Sequence, residues 1–353
     1  MSLPTAEQQI EFLQHIQRLF DEGEFQATYK FALLLTLAEL AVEHGDDSGA
    51  EISFPMPLVS EKFAEFYWRQ VAPYHSGLPG TEPSVLSQNQ GVQAAVVNFL
   101  TEIHRQSGGL YSRARMHPDW RQVLSRISSV IRNMPLRYLQ IIGGAQVPFL
   151  YYYPAPPGAI TLKPGTAFNL RRYQALIQQF ARAGWIDHVR GNNRNAPMLG
   201  QADDLEGFMF GSQRASLASV AQVLGEIQSD RCFYCQERLR GSADVDHFVP
   251  WARYPRDTAH NFVLAHRSCN NDKRVLLAAK PHLERWLEQT DRRGTEVGER
   301  LSALGFIANS HCSKLVAHWA YGQTADVNGQ VWSGRGVVIP ISADYLDLFG
   351  RAN

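Results

Sequence analysis

Apolar residues recur at helical spacing through most of the first 135 positions. Thr5 with Gln8 three residues on has the form of a capping box, and Ile10, Leu13, Ile16 and Phe20 then share one face before Gly23. Residues 27–44 predict a second, strongly apolar helix closed by Gly45. Residues 58–71, with Phe63, Phe66 and Tyr67, predict a third that stops at Pro73. Residues 74–87 are rich in Pro, Gly and Ser and read as a loop. Residues 88–107 make a fourth helix (Val92, Val96, Phe99, Ile103), and Pro118 opens a fifth with Trp120, Leu124, Ile127 and Ile131 inward.

The period then changes. Residues 136–142 and 147–153 flank Gly143-Gly144-Ala145-Gln146 and predict a β-hairpin. Tyr151, Tyr152 and Tyr153 lie on it and read as core. After a turn with Pro154, Pro156 and Pro157, residues 167–183 return to helix, ended by Gly184. Trp185, with Arg190 and Arg194 beyond it, marks either a nucleic-acid-facing loop or a solvated one. Residues 191–213 predict a linker and residues 214–227 a helix. The fold class expected is α+β, mostly helical.

Length and composition narrow the picture. The 353 residues suggest two or three domains, and 44% hydrophobic against 19% charged excludes wholesale disorder. The apolar run at 31–38 stops at Glu39 and is too short to span a bilayer. The start of the chain has no basic segment and no apolar core of a secretory signal. Four cysteines do not make a disulfide scaffold. A cytoplasmic protein with no membrane partner is expected.

The net charge of zero is an average over unlike blocks. Residues 1–110 carry 5 Lys/Arg and 14 Asp/Glu, and residues 111–194 carry 12 and 2. A block of +10 beside one of −9 has two readings. Its basic surface attracts a polyanion, or the two blocks dock on each other. On the first reading Arg113, Arg115, Arg171 and Arg172 are candidate DNA-binding residues. The expected organisation is an acidic helical region at 1–110 that regulates, masks the basic block or engages a partner protein. A basic α+β recognition region at 111–213 and a catalytic region at 214–353 follow.

The chemistry is concentrated in residues 230–274. Cys232-x-x-Cys235 and His266-x-x-Cys269 are two pairs with two-residue spacers, the pattern that brings four ligands to one tetrahedral zinc ion. Cys312 stands apart and reads as a small buried hydrophobe. Between the pairs, Asp246-His247 ends a short alternating run, Pro250 breaks it, and Asn261 opens a second short strand. Asn270 follows the last cysteine on a predicted helix containing Lys273, so the segment reads as a ββα unit. Phosphodiester hydrolysis needs a base for water and a cation for the phosphate and the leaving oxygen. A histidine suits the first task, and carboxylate or amide oxygens hold a hard cation for the second.

This arrangement resembles the HNH, or ββα-metal, endonuclease family over residues 230–285. The resemblance rests on Cys232-x-x-Cys235, Asp244-Val245-Asp246-His247-x-x-Pro250, His260-Asn261-x-x-Leu264 and His266-x-x-Cys269-Asn270-x-x-Lys273. It implies that His247 is the general base, that Asp246 and Asn270 hold a catalytic Mg²⁺ or Mn²⁺, and that Asn261 braces the loop and orients the base. It also implies structural zinc on Cys232, Cys235, His266 and Cys269, and nucleic-acid contact through Lys273 and the adjacent Arg274. Asp244 either supports the metal site or is structural, and His260 reads as a surface loop histidine. Residues 29–71 and 135–192 also resemble N-terminal regions of bacterial HNH proteins from restriction and phage-defence settings. The function implied is DNA cleavage, as a nick or, by a homodimer, through both strands, in restriction or anti-phage defence. The alternatives are a catalytically inactive zinc-containing nucleic-acid-binding protein and an RNA-cleaving HNH nuclease.

Overall fold

In a computed structural model the described residues are 3–75, 80, 82–156, 158–200, 204–211, 217–241 and 243–350. Helices make up 56% of the described residues, and every sheet among them is two-stranded, an α+β fold that is mostly helical. Two compact units divide at residue 211. Parts of the loop expected at 74–87, of the linker at 191–213 and of the helix at 214–227 lie outside the described residues, as does Pro157.

Unit 1 runs through α1 (Ala6–Glu22), α2 (Tyr29–His44), β1 (Ile52–Pro55), α3 (Met56–Trp68), α4 (Ala95–Gln106), α5 (Tyr111–Ala114), α6 (Trp120–Asn133) and α7 (Pro135–Tyr138). It continues with β2 (Ile141–Ile142), β3 (Ala145–Gln146), β4 (Ala159–Leu162), α8 (Thr166–Arg172), α9 (Gln174–Arg190) and α10 (Leu205–Phe210). The capping box of α1 is formed: the Gln8 amide donates to Thr5 Oγ1 and the Thr5 amide to Gln8 Oε1. Every residue of α2 from Tyr29 to Glu43 is buried, as its all-round apolar sequence demands, with α3, α7, α8 and α9 packed around it. The buried acids of α2 are offset locally, with Lys62 Nζ 2.7 Å from Glu43 and 3.7 Å from Glu39.

Residues on either side of position 110 share this core. Strand β1 pairs antiparallel with β4, Ile52 opposite Leu162 and Pro55 opposite Ala159, and α3 packs on α6. The acidic segment 1–110 and the basic segment therefore share one core and one compact unit, in place of the separate regions expected from the charge blocks.

Arg171 is corrected outright. It is only 3% exposed, and its guanidinium donates to the carbonyls of Ala41, Val42 and Gly45 and pairs with Asp47. A cation there satisfies the orphan carbonyls and the negative end of α2, a structural task. Trp185 is likewise no surface residue, because it is fully buried inside α9 and donates its indole N–H to Gln88 Oε1 at 2.7 Å. The expected hairpin shrinks to two residues a side around Gly143-Gly144, since 135–138 is a helical turn; Tyr151 is core, but Tyr152 is 42% exposed. Within the expected linker, Asn195 is buried and bonds Ser87 and Val189, so its described part is tied to unit 1.

Helix α9 does not stop at Gly184. The glycine is the contact point of α9 on α2, and a Cβ there would lie 2.6 Å from a carbon of the Phe31 ring. Phe31 is itself stacked on Phe25, with centroids 4.3 Å apart, and has nowhere to yield. Gly184→Ala, which improves helix propensity, is expected instead to destabilise unit 1 by about 1–3 kcal/mol through overpacking. Thermal melting of the two proteins checks this, and a rise in the melting temperature would refute it.

Unit 2 holds α11 (Leu217–Ile227), β5 (Ala243–His247), β6 (Phe262–His266), α12 (Arg267–Lys273), α13 (Lys280–Ala303), α14 (Ser310–Asp326), β7 (Gln330–Gly334), β8 (Val337–Pro340) and α15 (Asp347–Gly350). Strands β5 and β6 pair antiparallel, with Ala243 opposite His266 and His247 opposite Phe262, and α12 follows directly. The core beneath them joins Val220 and Leu224 of α11, Phe262 and Leu264 of β6, Val297 and Leu301 of α13, and Phe306. His260 is corrected from a surface to a buried position. It is 7% exposed, lies over Gly294 and Gly298 of α13, and its Nε2 meets the Gly294 carbonyl at 3.0 Å. Burial holds its pKa below the ordinary histidine value.

Candidate metal and catalytic site

The first ligand pair sits in a closed turn. The Gln236 amide donates to the Cys232 carbonyl, the Cys232 amide donates to the Glu237 carbonyl, and Gln236 turns the chain at φ 63°. The Phe233 amide ties this turn to β6 through the Leu264 carbonyl, and Arg285 of α13 donates to the carbonyl of Phe233. The second pair comes from the start of α12, where His266 is the N-cap and Cys269 lies one turn in. These local geometries bring the ligand atoms of Cys232, Cys235, His266 and Cys269 within 4.8 Å of one another. Zinc–sulfur bonds of about 2.3 Å require sulfurs roughly 3.8 Å apart in a tetrahedron, so the group fits the ion. Cys312, in α14, is not part of it.

The surroundings of the group are arranged for a cation. His266 Nε2 lies 3.2 Å from the Arg238 carbonyl, which fixes the ring with Nδ1 toward the cluster, 3.3 Å from Cys235 Sγ. The His266 amide donates to Cys232 Sγ. Burial and the neighbouring Cys232 and Cys235 push the Cys269 thiol up to about 12, so three thiolates coexist here only with a positive ion among them.

On β5, Asp244 and Asp246 are two apart and share a face. On α12, Asn270 and Lys273 are three apart and share a face. The two faces meet. Asn270 Nδ2 donates to Asp244 Oδ2 at 3.3 Å, and Lys273 Nζ lies 2.9 Å from Asp246 Oδ2 and donates to the His247 carbonyl at 3.0 Å. The buried phenol of Tyr234 also donates to Asp246 Oδ2. Lys273 has no exposed surface, which corrects its expected role: it cannot touch a phosphate directly and serves as the buried counter-ion of Asp246. Burial pushes its pKa down, and Asp246 works against that shift. Arg274, next along, is exposed at the left-handed end of α12. Asp246 Oδ1 and Asn270 Oδ1 accept no hydrogen bond among the described residues. They remain as oxygen donors of the kind a hard cation takes.

His247 stands opposite Phe262 at the end of β5. Its Nε2 is 2.9 Å from Asp257 Oδ1, and its ring packs edge-on against Trp251 and Phe262 at about 5 Å between centroids. Asn261 clamps the intervening loop by both ends of its amide, accepting from the Val249 N–H at 2.7 Å and donating to the Val249 carbonyl at 2.9 Å. No hydrogen bond among the described residues joins His247 to Asp246 or Asn270. Asp257 and Tyr234 went unnoticed in the sequence. Tyr234 lies between the first two cysteines, but nothing in the spacing of Asp257 marks it as a histidine partner.

A ββα unit stapled by a Cys₃His group, with an Asp-His pair at the end of its first strand, defines a nuclease-type metal domain. Comparison with known families agrees. Residues 232–275 match the family model HNH endonuclease, which identifies an HNH domain. Residues 9–203, more than half of the chain, match a domain of unknown function (DUF8808), and the chain belongs to that family. No curated protein and no solved structure matches the chain. Among the described residues no helix is long and apolar enough to cross a membrane.

Proposed function

We propose that the protein is a metal-dependent DNA endonuclease whose base is His247. The reading is carried by one observation: the Asp246-His247 pair and Asn270 occupy the strand and helix positions of a ββα unit that matches the HNH endonuclease model. In it, Asp246 and Asn270 would hold Mg²⁺ or Mn²⁺, while Asn261 acts at a distance by holding the loop. Such an ion would supply charge neutralisation at the phosphate and the leaving oxygen. Imidazole Nε2–H donates to Asp257, which leaves Nδ1 basic to take a proton from water. A single unit cuts one strand, so a double-strand break requires a homodimer or two nicks. Restriction or anti-phage defence is the setting we propose, on the likeness of residues 29–71 and 135–192 noted above.

The test is incubation of the full chain with supercoiled plasmid and with a matched RNA, in Mg²⁺ or Mn²⁺. Conversion of plasmid to nicked or linear form is expected. Cleavage of RNA alone would overturn the DNA assignment, and binding without cleavage of either would leave a zinc-containing binding protein. Asp257 is a positioning residue in this reading. Asp257→Asn is expected to lower the cleavage rate about 10–100-fold, by analogy with the outer partners of functional histidines, at unchanged DNA affinity. Single-turnover kinetics at saturating DNA would show it; a rate equal to wild type would remove Asp257 from the site.

A further inference from the structure

With Arg171 withdrawn into the core, the surface of the basic segment is left to other arginines. Among the described residues of unit 1, Arg18, Arg105 and Arg115 pair with Glu22, Glu102 and Glu61. The arginines of α6 do not. Arg121, Arg126 and Arg132 are all exposed and have no carboxylate partner. The Arg126 guanidinium lies over the Phe99 ring, 3.8 Å from its centroid, and among the described residues Arg132 Nη2 reaches only Ser129 Oγ, at 3.5 Å. The buried stripe of α6 is Trp120, Val123, Ile127 and Ile131. The opposite face therefore reads Arg121, Ser125, Ser128, Arg132 along one row and Gln122, Arg126, Ser129, Asn133 along the next. No acidic residue occurs between Asp119 and Asp187, so nothing in the local chain offers these guanidinium groups a counter-ion.

We infer that the outward face of α6 is the docking surface for duplex DNA. The inference rests on the reading of the C-terminal unit as a DNA nuclease, and it names the surface on unit 1 that holds the substrate. Charge complementarity carries it. A helix of 14 residues extends about 21 Å and is about 10–12 Å across, which matches the width of the major groove. Three arginines without carboxylate partners along that length meet phosphates, and the exposed Gln122, Ser125 and Asn133 beside them offer amide and hydroxyl groups to base edges. Acidic peptides would be drawn by the same charge, but the flanking serines, Gln122 and Asn133 suit phosphate and base edges better than an apolar partner face.

The experiment measures binding of the full chain to a labelled 30-base-pair duplex by fluorescence anisotropy, without divalent metal, over a range of salt. It compares wild type with R121Q/R126Q/R132Q. A second variant, R121Q/R132Q, leaves the Arg126–Phe99 stack intact, and R190Q/R194Q removes charge from exposed residues elsewhere on the unit. The triple variant is expected to bind at least tenfold more weakly, with the slope of log K against log salt reduced by about three. The double variant should lose about two, and the control variant should stay within twofold of wild type. Equal binding by wild type and R121Q/R132Q would overturn the inference. So would a loss in the control as large as in the double variant, or a loss confined to RNA or an acidic peptide. If wild type itself neither bound nor cut DNA, the nuclease reading would fail, a distinguishable result.

Discussion

Replacing His247 by alanine is expected to lower the rate of plasmid cleavage by about 10²–10⁴-fold, the range in which a positioned base contributes. Among the described residues the side chain makes one hydrogen bond, to Asp257, and two ring contacts, to Trp251 and Phe262. Its backbone carbonyl, which accepts from Lys273, is unaffected by the substitution. The Asp246–Lys273 pair, the Asn261 clamp and the metal-ligand group therefore keep their partners, and the variant should bind DNA and melt as wild type does. The result to look for is a fall in single-turnover rate at saturating DNA with unchanged affinity. Cleavage at the wild-type rate would sink the assignment of the base, while a collapse of the melting transition would show that the imidazole is chiefly structural.

Cys232→Ser is expected to act at a different level. Cys232 is wholly buried, its sulfur accepts from the His266 amide, and its backbone closes the first turn of the metal group. Metal affinity in such a group is folding energy, about 10–16 kcal/mol for small zinc modules, comparable to the whole stability of an ordinary domain. Losing one ligand should therefore unfold the segment that carries β5, β6 and α12, and cleavage should disappear with it. Removing the metal with a chelator, then restoring excess Mg²⁺, should do the same. Unit 1 has its own core and should keep its helical signal, so circular dichroism is expected to show partial loss only. A folded, metal-free variant that still cuts would show that the group contributes nothing to the site.

The two effects differ in kind because the two histidines and the cysteines do different work. His266 is locked by the Arg238 carbonyl and the ligand sulfurs, while His247 faces Asp257 and two rings at the end of β5. A substitution at the first removes a ligand that holds the fold together. A substitution at the second removes a proton acceptor from a frame that other contacts maintain.

What the sequence alone determined is whatever depends on neighbours along the chain. The Thr5 capping box, the apolar α2, three inward residues of α6 (Trp120, Ile127 and Ile131, with Val123 and not Leu124 as the fourth) and the ligand pairs Cys232/Cys235 and His266/Cys269 were legible. Each is set by spacings of two to four residues, which local backbone geometry converts directly into shared faces or shared ligation. Only the tertiary structure decided which charges reach solvent. Lys273 and Arg171 read as nucleic-acid contacts, but one is buried against Asp246 and the other caps α2. Asp257 became the partner of His247, Gly184 became a helix contact, and residues 1–110 share the core of unit 1 with the basic segment. Burial is decided by segments remote in sequence, and the cost of leaving a buried charge unpaired selects a partner that no local pattern reveals.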